Sequence, residues 1–223
     1  MILHIPHSSR FIEGMVELTN EKENLGFLTD DYVSELFDYP DSTYIEFPLS
    51  RFVCDVERLP DDPMEAIGQG IIYKRDVFGN KIKRNISDRS AMKIYKKYHN
   101  HLNKQINFEL GFFDIVTIVD AHTFTPTEKD HPDICIGTDQ FHTPDDLAKK
   151  INLHFTTNGY NVGFNYPYSG TIVPLHLYNK NKNLKSVMLE INKRCYLQNT
   201  TKIKETIAGG LKIIDQYEWG KVY

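Results

Sequence analysis

The segment Asp114-Ile-Val-Thr-Ile-Val-Asp120 limits the folds open to this chain more than any other stretch. Its inner residues are β-branched with no polar alternation, which is the pattern of a strand covered on both faces. Such strands belong to parallel sheets sandwiched between helices. His122 follows directly, in the place where open α/β sheets bind ligands, outside the carboxyl ends of the strands.

The rest of the chain supplies the alternating elements that such a sheet needs. Ile2 to Ile5 is a short apolar run stopped by Pro6, and Ser186 to Ile191 is a second buried strand ending at Glu190. Residues 44–56 and 160–164 read as extended, and 165–170 as a loop. Apolar residues at helical spacing mark four helices: Asp30 to Tyr39 behind Thr29, Ser90 to Phe113, Asp145 to Thr157, and Thr201 to Trp219. Strands and helices taking turns make the fold class α/β.

At 223 residues the chain is sized for one core, so a single domain over 1–223 is expected. A net charge of −4 gives no electrostatic reason to bind nucleic acid or an anionic membrane. No stretch approaches the ~20 apolar residues of a membrane span, and the first residues lack the basic start of a signal peptide. Cys54, Cys135 and Cys195 are far apart and odd in number, which suggests neither a disulfide framework nor a thiolate zinc site. The cytoplasm is the expected compartment.

Three strand ends carry residues with chemistry: Pro6-His7-Ser8-Ser9, Asp120-Ala-His122-Thr123 and Glu190-Ile-Asn-Lys-Arg194. Histidines and carboxylates presented from neighbouring strand ends suit a catalytic zinc ion, which takes three protein N or O ligands and keeps one position open. His7 and His122 are the expected ligands. A carboxylate is the expected third, with Asp30 the first choice and Asp31 and Glu57 the alternatives; acids also occur in a first helical turn simply because they favour the helix N-terminus. Glu190 is the expected general base, drawing a proton from water and passing it to the leaving nitrogen. Asp120, two residues before His122, suits a partner that orients the imidazole.

Arg51, Arg58 and Arg194 have planar forks fit for bidentate capture of a substrate carboxylate. Asn165, Ser169 and Thr171 can hydrogen-bond substrate from their loop, or merely shape it. His4, His101, His131, His142, His154 and His176 are read as structural, and His99 as a packed, hydrogen-bonded residue of the long helix. There is no compact HExxH helix and no GxSxG elbow.

Nine pieces of the chain, in order, resemble the N-formylglutamate amidohydrolase family over residues 4 to about 197. They are His4-Ile-Pro-His-Ser-Ser9, Thr29-Asp30 with Leu36-Phe37, Ser50 to Arg58, Gly70 to Arg75, Tyr95 to His99, Asp120 to Thr123, Pro132 to Thr138, Asn165 to Gly170 and Glu190 to Arg194. The resemblance implies a three-layer fold similar to zinc carboxypeptidases and aspartoacylases: a mixed, mostly parallel sheet flanked by helices, with one zinc ion at its carboxyl edge. It implies a small-molecule N-acyl amino acid as substrate, and hydrolysis of N-formyl-L-glutamate to formate and L-glutamate, a step of histidine breakdown. On this mapping His7 and His122 look like metal ligands, Glu190 like the base, and the three arginines like carboxylate binders. The family usually has glycine at Ser9, asparagine at Glu57 and proline at Lys97. A negative charge at Glu57 is expected to neutralise Arg58 and weaken its hold on a substrate carboxylate.

Overall fold

The computed structural model describes residues 1–217. The strands are β1 (Ile2–Ile5), β2 (Val16–Glu17), β3 (Thr43–Glu46), β4 (Lys83–Arg84), β5 (Val116–Phe124), β6 (Ile134–Gly137), β7 (Val162–Phe164) and β8 (Leu184–Asn192). The helices are α1 (Glu21–Leu28), α2 (Val33–Leu36), α3 (Asp88–Leu110), α4 (Asp145–Thr157) and α5 (Lys193–Asp215). Six strands make the main sheet in the order β3-β1-β5-β8-β6-β7, and β2 pairs with β4 apart from it. Neighbours in the main sheet run parallel except β6 and β8, which are antiparallel. The sheet is therefore mixed and mostly parallel, with helices on its faces. Among the described residues no helix is long and apolar enough to cross a membrane.

Side chains on a strand alternate between faces, and this alternation sorts the polar residues from the core. Leu3, Ile5, Val119, Ala121, Val187, Leu189 and Ile191 pack with Ile151 and Phe155 of α4 and Ile207 and Leu211 of α5 in one buried cluster. The intervening residues Ile2, Val116 and Ile118 pack with Tyr95, Tyr98, Leu102 and Ile106 of α3 in a second. His4, Asp120, His122 and Glu190 share this second face but lie further toward the carboxyl ends. The registers place His4 beside Asp120, and His122 beside Glu190.

Local signals set the helix starts. Ser87 caps α3 by accepting from the Ser90 amide, and Asn192 caps α5 by accepting from the Arg194 amide. Asn192 is also the last residue of β8, so the strand passes into the helix without a loop. Between β3 and α3 the chain is largely irregular and is anchored by a third cluster containing Phe52, Val53, Tyr73 and Ile82. There the Arg84 guanidinium donates to the carbonyls of Phe52 (2.8 Å) and Val53 (2.7 Å).

Several expected elements are redrawn. The helix expected over Asp30 to Tyr39 is a single turn, Val33–Leu36, and Thr29 closes α1 rather than opening α2. Of residues 44–56 only the first three are strand. The central strand runs past Asp120 to Phe124, so His122 lies inside it, and Glu190 likewise lies inside β8. α5 starts eight residues before Thr201 and bends at Asn199, where φ is −158°. Its expected end at Trp219 lies outside the described residues.

Leu189 is fully buried on the face opposite its neighbour Glu190. Leu189→Ala is expected to lower the unfolding free energy by about 2–5 kcal/mol in urea titrations; a loss below about 1 kcal/mol would contradict the two-faced packing of β8.

Candidate active site

At the carboxyl edge of the sheet two histidines are each held by a carboxylate on one ring nitrogen and turn the other toward Glu57. His7 Nε2 donates to Asp55 Oδ1 (2.9 Å), and His7 Nδ1 lies 3.4 Å from Glu57 Oε2. His122 Nδ1 donates to Asp30 Oδ2 (2.8 Å), and His122 Nε2 lies 3.2 Å from Glu57 Oε1. Ionised carboxylates only accept, so the nitrogen facing each aspartate carries a proton; His122 Nε2 also faces carboxylate oxygens of Glu57 and Asp120, so without a cation in the cluster that nitrogen is protonated too. One ligand atom each from His7, Glu57 and His122 falls within 4.8 Å of the others, a spacing that can hold a metal ion.

The first-choice carboxylate, Asp30, is brought to the cluster but in a different place. Its Oδ2 bonds His122 and is 3.9 Å from His7 Nδ1, while Glu57, one of the two alternatives, occupies the position between the imidazoles. Asp31 points elsewhere, forming a two-bond pair with Arg10. The Asp30 amide donates to the His7 carbonyl at 3.0 Å. Lys193, 8% exposed, donates to the carbonyls of Gly26 (2.9 Å) and Thr29 (2.7 Å), which pins the turn that carries Asp30.

Behind the cluster, Asp120 Oδ1 lies 2.7 Å from His4 Nδ1 and 3.2 Å from His122 Nε2, and its Oδ2 accepts from the Ile172 amide (2.9 Å). His4 thus holds the carboxylate that abuts His122, and His4, Glu57 and Asp120 form a second group of potential ligand atoms within 4.8 Å of one another. Asp55 is also a hub: Arg51 donates two bonds to its Oδ2 (2.6 and 3.0 Å) and Tyr73 a third (3.3 Å).

These contacts fix the charges. Burial works to raise Asp55, but the charges of Arg51 and His7, the His7 hydrogen bond and the charge of Arg58 hold it well below the usual carboxylate range. Burial likewise opposes ionisation of Asp30, yet the hydrogen bond and charge of His122 keep it lowered. His122 is raised well above the ordinary histidine value, against burial, by Glu57, Asp120 and Glu190. Glu190 goes the other way. Burial pushes it up to about 8 against the charge of His122, with Asp30, Glu57 and Asp120 adding repulsion. Its Oε2 is buried with no hydrogen-bond partner among the described residues.

The cluster opens into a cleft of about 670 Å³, and His7, Asp30, Arg51, Glu57, Arg58, His122, Ser169, Thr171 and Glu190 all line it. Two of the expected carboxylate binders thus reach the cleft. Arg194 does not line it; it pairs with Asp133 (2.8 Å) and donates to the His131 carbonyl (2.6 Å). Asn165 shapes its own loop, accepting from the amides of Thr138 and Gly170 and donating to the Thr138 hydroxyl. Arg51 is committed to Asp55. Arg58 is freer: its nearest carboxylate oxygens, on Asp55 and Asp62, are each 3.7 Å away, and its Nε has no hydrogen-bond partner among the described residues. Glu57 turns to the histidines, so the expected neutralisation of Arg58 falls to Asp55 and Asp62 instead. His99 packs against Tyr95 and Tyr98, with burial lowering its pKa.

The sequence reading passed over Asp55, Tyr73 and Lys193. Asp55 had one available signal, a position between Arg51 and Arg58; the other two had none that separates them from packing residues.

The family model described as N-formylglutamate amidohydrolase matches residues 1–197. The fold is similar to a crystal structure described as N-formylglutamate amidohydrolase from Ralstonia eutropha JMP134: TM-score 0.78, 16% identity, 96% of this chain and 94% of that one covered. It is also similar to a gene product of Agrobacterium tumefaciens, with TM-score 0.66, 20% identity, and 96% and 91% coverage. A search of curated proteins finds no match.

The raised Glu190 pKa makes a prediction with a definite sign. An unfolded glutamate titrates near ~4.3, so between that pH and about 8 the unfolded chain sheds a proton that the folded one keeps, and stability falls as pH rises. In chelator-treated protein, Glu190→Gln should match the wild type near pH 4 and exceed it by on the order of 1–3 kcal/mol at pH 8 in urea unfolding. Equal stability at pH 8 would mean that Glu190 is not buried among these carboxylates.

Proposed function

Because this chain belongs to the N-formylglutamate amidohydrolase family, a family of amide-bond hydrolases, we propose that it is a zinc-dependent amidohydrolase of a small N-acyl acidic amino acid. N-formyl-L-glutamate, cleaved to formate and L-glutamate, is the first substrate to consider. The observation that carries this is the donor set of His7, Glu57 and His122. Two imidazoles and a carboxylate are ligands that zinc hydrolases use while keeping a position open. The partner-free Glu190 oxygen beside them supplies an acceptor.

In this assignment Glu57 replaces Asp30 as third ligand, while Asp55 and Asp30 orient His7 and His122 from outside, as the carboxylates behind metal-bound histidines commonly do. Bound there, zinc would supply Lewis acidity toward the amide carbonyl and make a nearby water more acidic. Glu190 takes the proton of the attacking water and delivers it to the leaving nitrogen. Burial raises Glu190 above the ordinary carboxylate range, which favours its holding the transferred proton until the leaving nitrogen takes it. Arg58, held only by long ion pairs to Asp55 and Asp62 (3.7 Å each), receives the substrate carboxylate, and Ser169 lines the same cleft. Arg51 acts one step back, fixing Asp55 and through it His7.

Three outcomes follow. Chelation should abolish formate release from N-formyl-L-glutamate and added zinc should restore it. Glu190→Gln should lower kcat by about 10²- to 10⁴-fold with zinc still bound; unchanged formate release at saturating substrate would remove Glu190 from the mechanism. Arg58→Met should lower kcat/KM for acidic substrates about 10- to 100-fold, as expected for losing a charge-assisted hydrogen bond. Equal losses on N-acyl amino acids without a side-chain carboxylate would show that Arg58 does not read that group.

A further inference from the structure

We propose that the cleft contains an apolar subsite for the acyl side of the substrate, suited to a chain of several carbons rather than to formyl alone. The inference rests on the amidohydrolase assignment above and concerns what that site accepts. N-formylglutamate has only about 12 non-hydrogen atoms, whereas clefts of several hundred Å³ enclose drug-sized ligands, and this one measures about 670 Å³.

Beside its polar groups the cleft carries a set of apolar side chains. Phe27, Leu59, Tyr168, Leu175 and Tyr178 all line it, and they are exposed by 38%, 42%, 44%, 59% and 41% respectively. Single exposed apolar side chains are ordinary on a protein surface; several around one cleft mark a binding surface. Met188, two residues before Glu190 on the same face of β8, extends the apolar lining down to the reacting groups.

The wall formed by residues 168–178 is tied to the sheet and to the site itself. The Ile172 amide donates to Asp120 (2.9 Å), Thr171 bonds Ser186 (2.7 Å), Cys135 donates to the Tyr168 carbonyl (3.2 Å), and the Tyr178 hydroxyl donates to Asp139 (3.0 Å). A surface held this way is formed before ligand arrives, so little is lost to ordering on binding. Arg58 comes from another segment and takes the amino-acid carboxylate, which leaves this wall to the acyl group. Formyl would leave it wet, whereas each further methylene laid against it strengthens binding by up to about fourfold.

The test is calorimetry on the zinc-loaded Glu190→Gln protein with N-formyl- and N-hexanoyl-L-glutamate. The hexanoyl compound should bind at least about 10-fold more tightly, and Leu175→Asp in the same background should shrink that ratio toward one. Equal or weaker hexanoyl binding, or a ratio untouched by Leu175→Asp, overturns the subsite. Carboxylate release by the wild type from both compounds is read separately. Release from neither would sink the amidohydrolase assignment, and the ratio of dissociation constants would still decide for or against the subsite.

Discussion

A carboxylate buried at the edge of a sheet has lost its water and must be balanced by something else, and four acids here share that condition. Asp30, Asp55, Asp120 and Glu190 are each less than a tenth exposed. Removing ions from water carries a penalty that only excellent pairing repays. The arrangement around them divides into acids that are paired and one that is not. Asp55 has Arg51 and His7, Asp30 has His122, and Asp120 has His4, His122 and a backbone amide. Glu190 has an unpartnered oxygen and a raised pKa. A site that leaves a single acid unsatisfied among well-paired ones has separated its structural carboxylates from its reactive one.

The pleat makes this arrangement possible. Because alternate residues face opposite ways, β1, β5 and β8 give one face wholly to the core with α4 and α5, and give the carboxyl ends of the other to His4, Asp120, His122 and Glu190. Parallel register then brings His4 against Asp120 and His122 against Glu190 without any loop to position them. The site residues that come from loops are fastened individually: Asp30 by the His7 carbonyl and by Lys193, and the segment carrying Asp55 and Glu57 by Arg84 and Arg51.

How much of this could be read from sequence follows from where regular structure ends. The central strand and the helices α3 and α4 were legible because burial imposes a period, and His7, His122 and Glu190, which line one cleft, stood out as polar residues that follow or interrupt such runs. The α/β class and the mixed sheet agree with the structure. The segment from Ser50 to Arg58 has no period, being mostly turn, so beyond its flanking arginines nothing separated Asp55 from its neighbours, and nothing placed Glu57 between the histidines. Asp30 was singled out for its position and does reach the site, but it meets the far nitrogen of His122. Arg194 was grouped with Arg51 and Arg58 by residue type, yet the chain turns into α5 at Asn192 and carries its guanidinium to Asp133. Fork geometry says what an arginine can bind; only the path of the backbone says what it meets.

The central claim is that two imidazoles, each oriented by an outer aspartate, converge with Glu57 on one divalent cation. An anomalous difference map from crystals of the zinc-loaded protein, collected on the zinc edge, tests it most directly. The account predicts one peak per chain within about 2.0–2.2 Å of His7 Nδ1, His122 Nε2 and a Glu57 oxygen, with Asp30 still bonded to His122 Nδ1. A peak ligated by Asp30 with Glu57 turned away, or no peak in correctly folded protein, would contradict it.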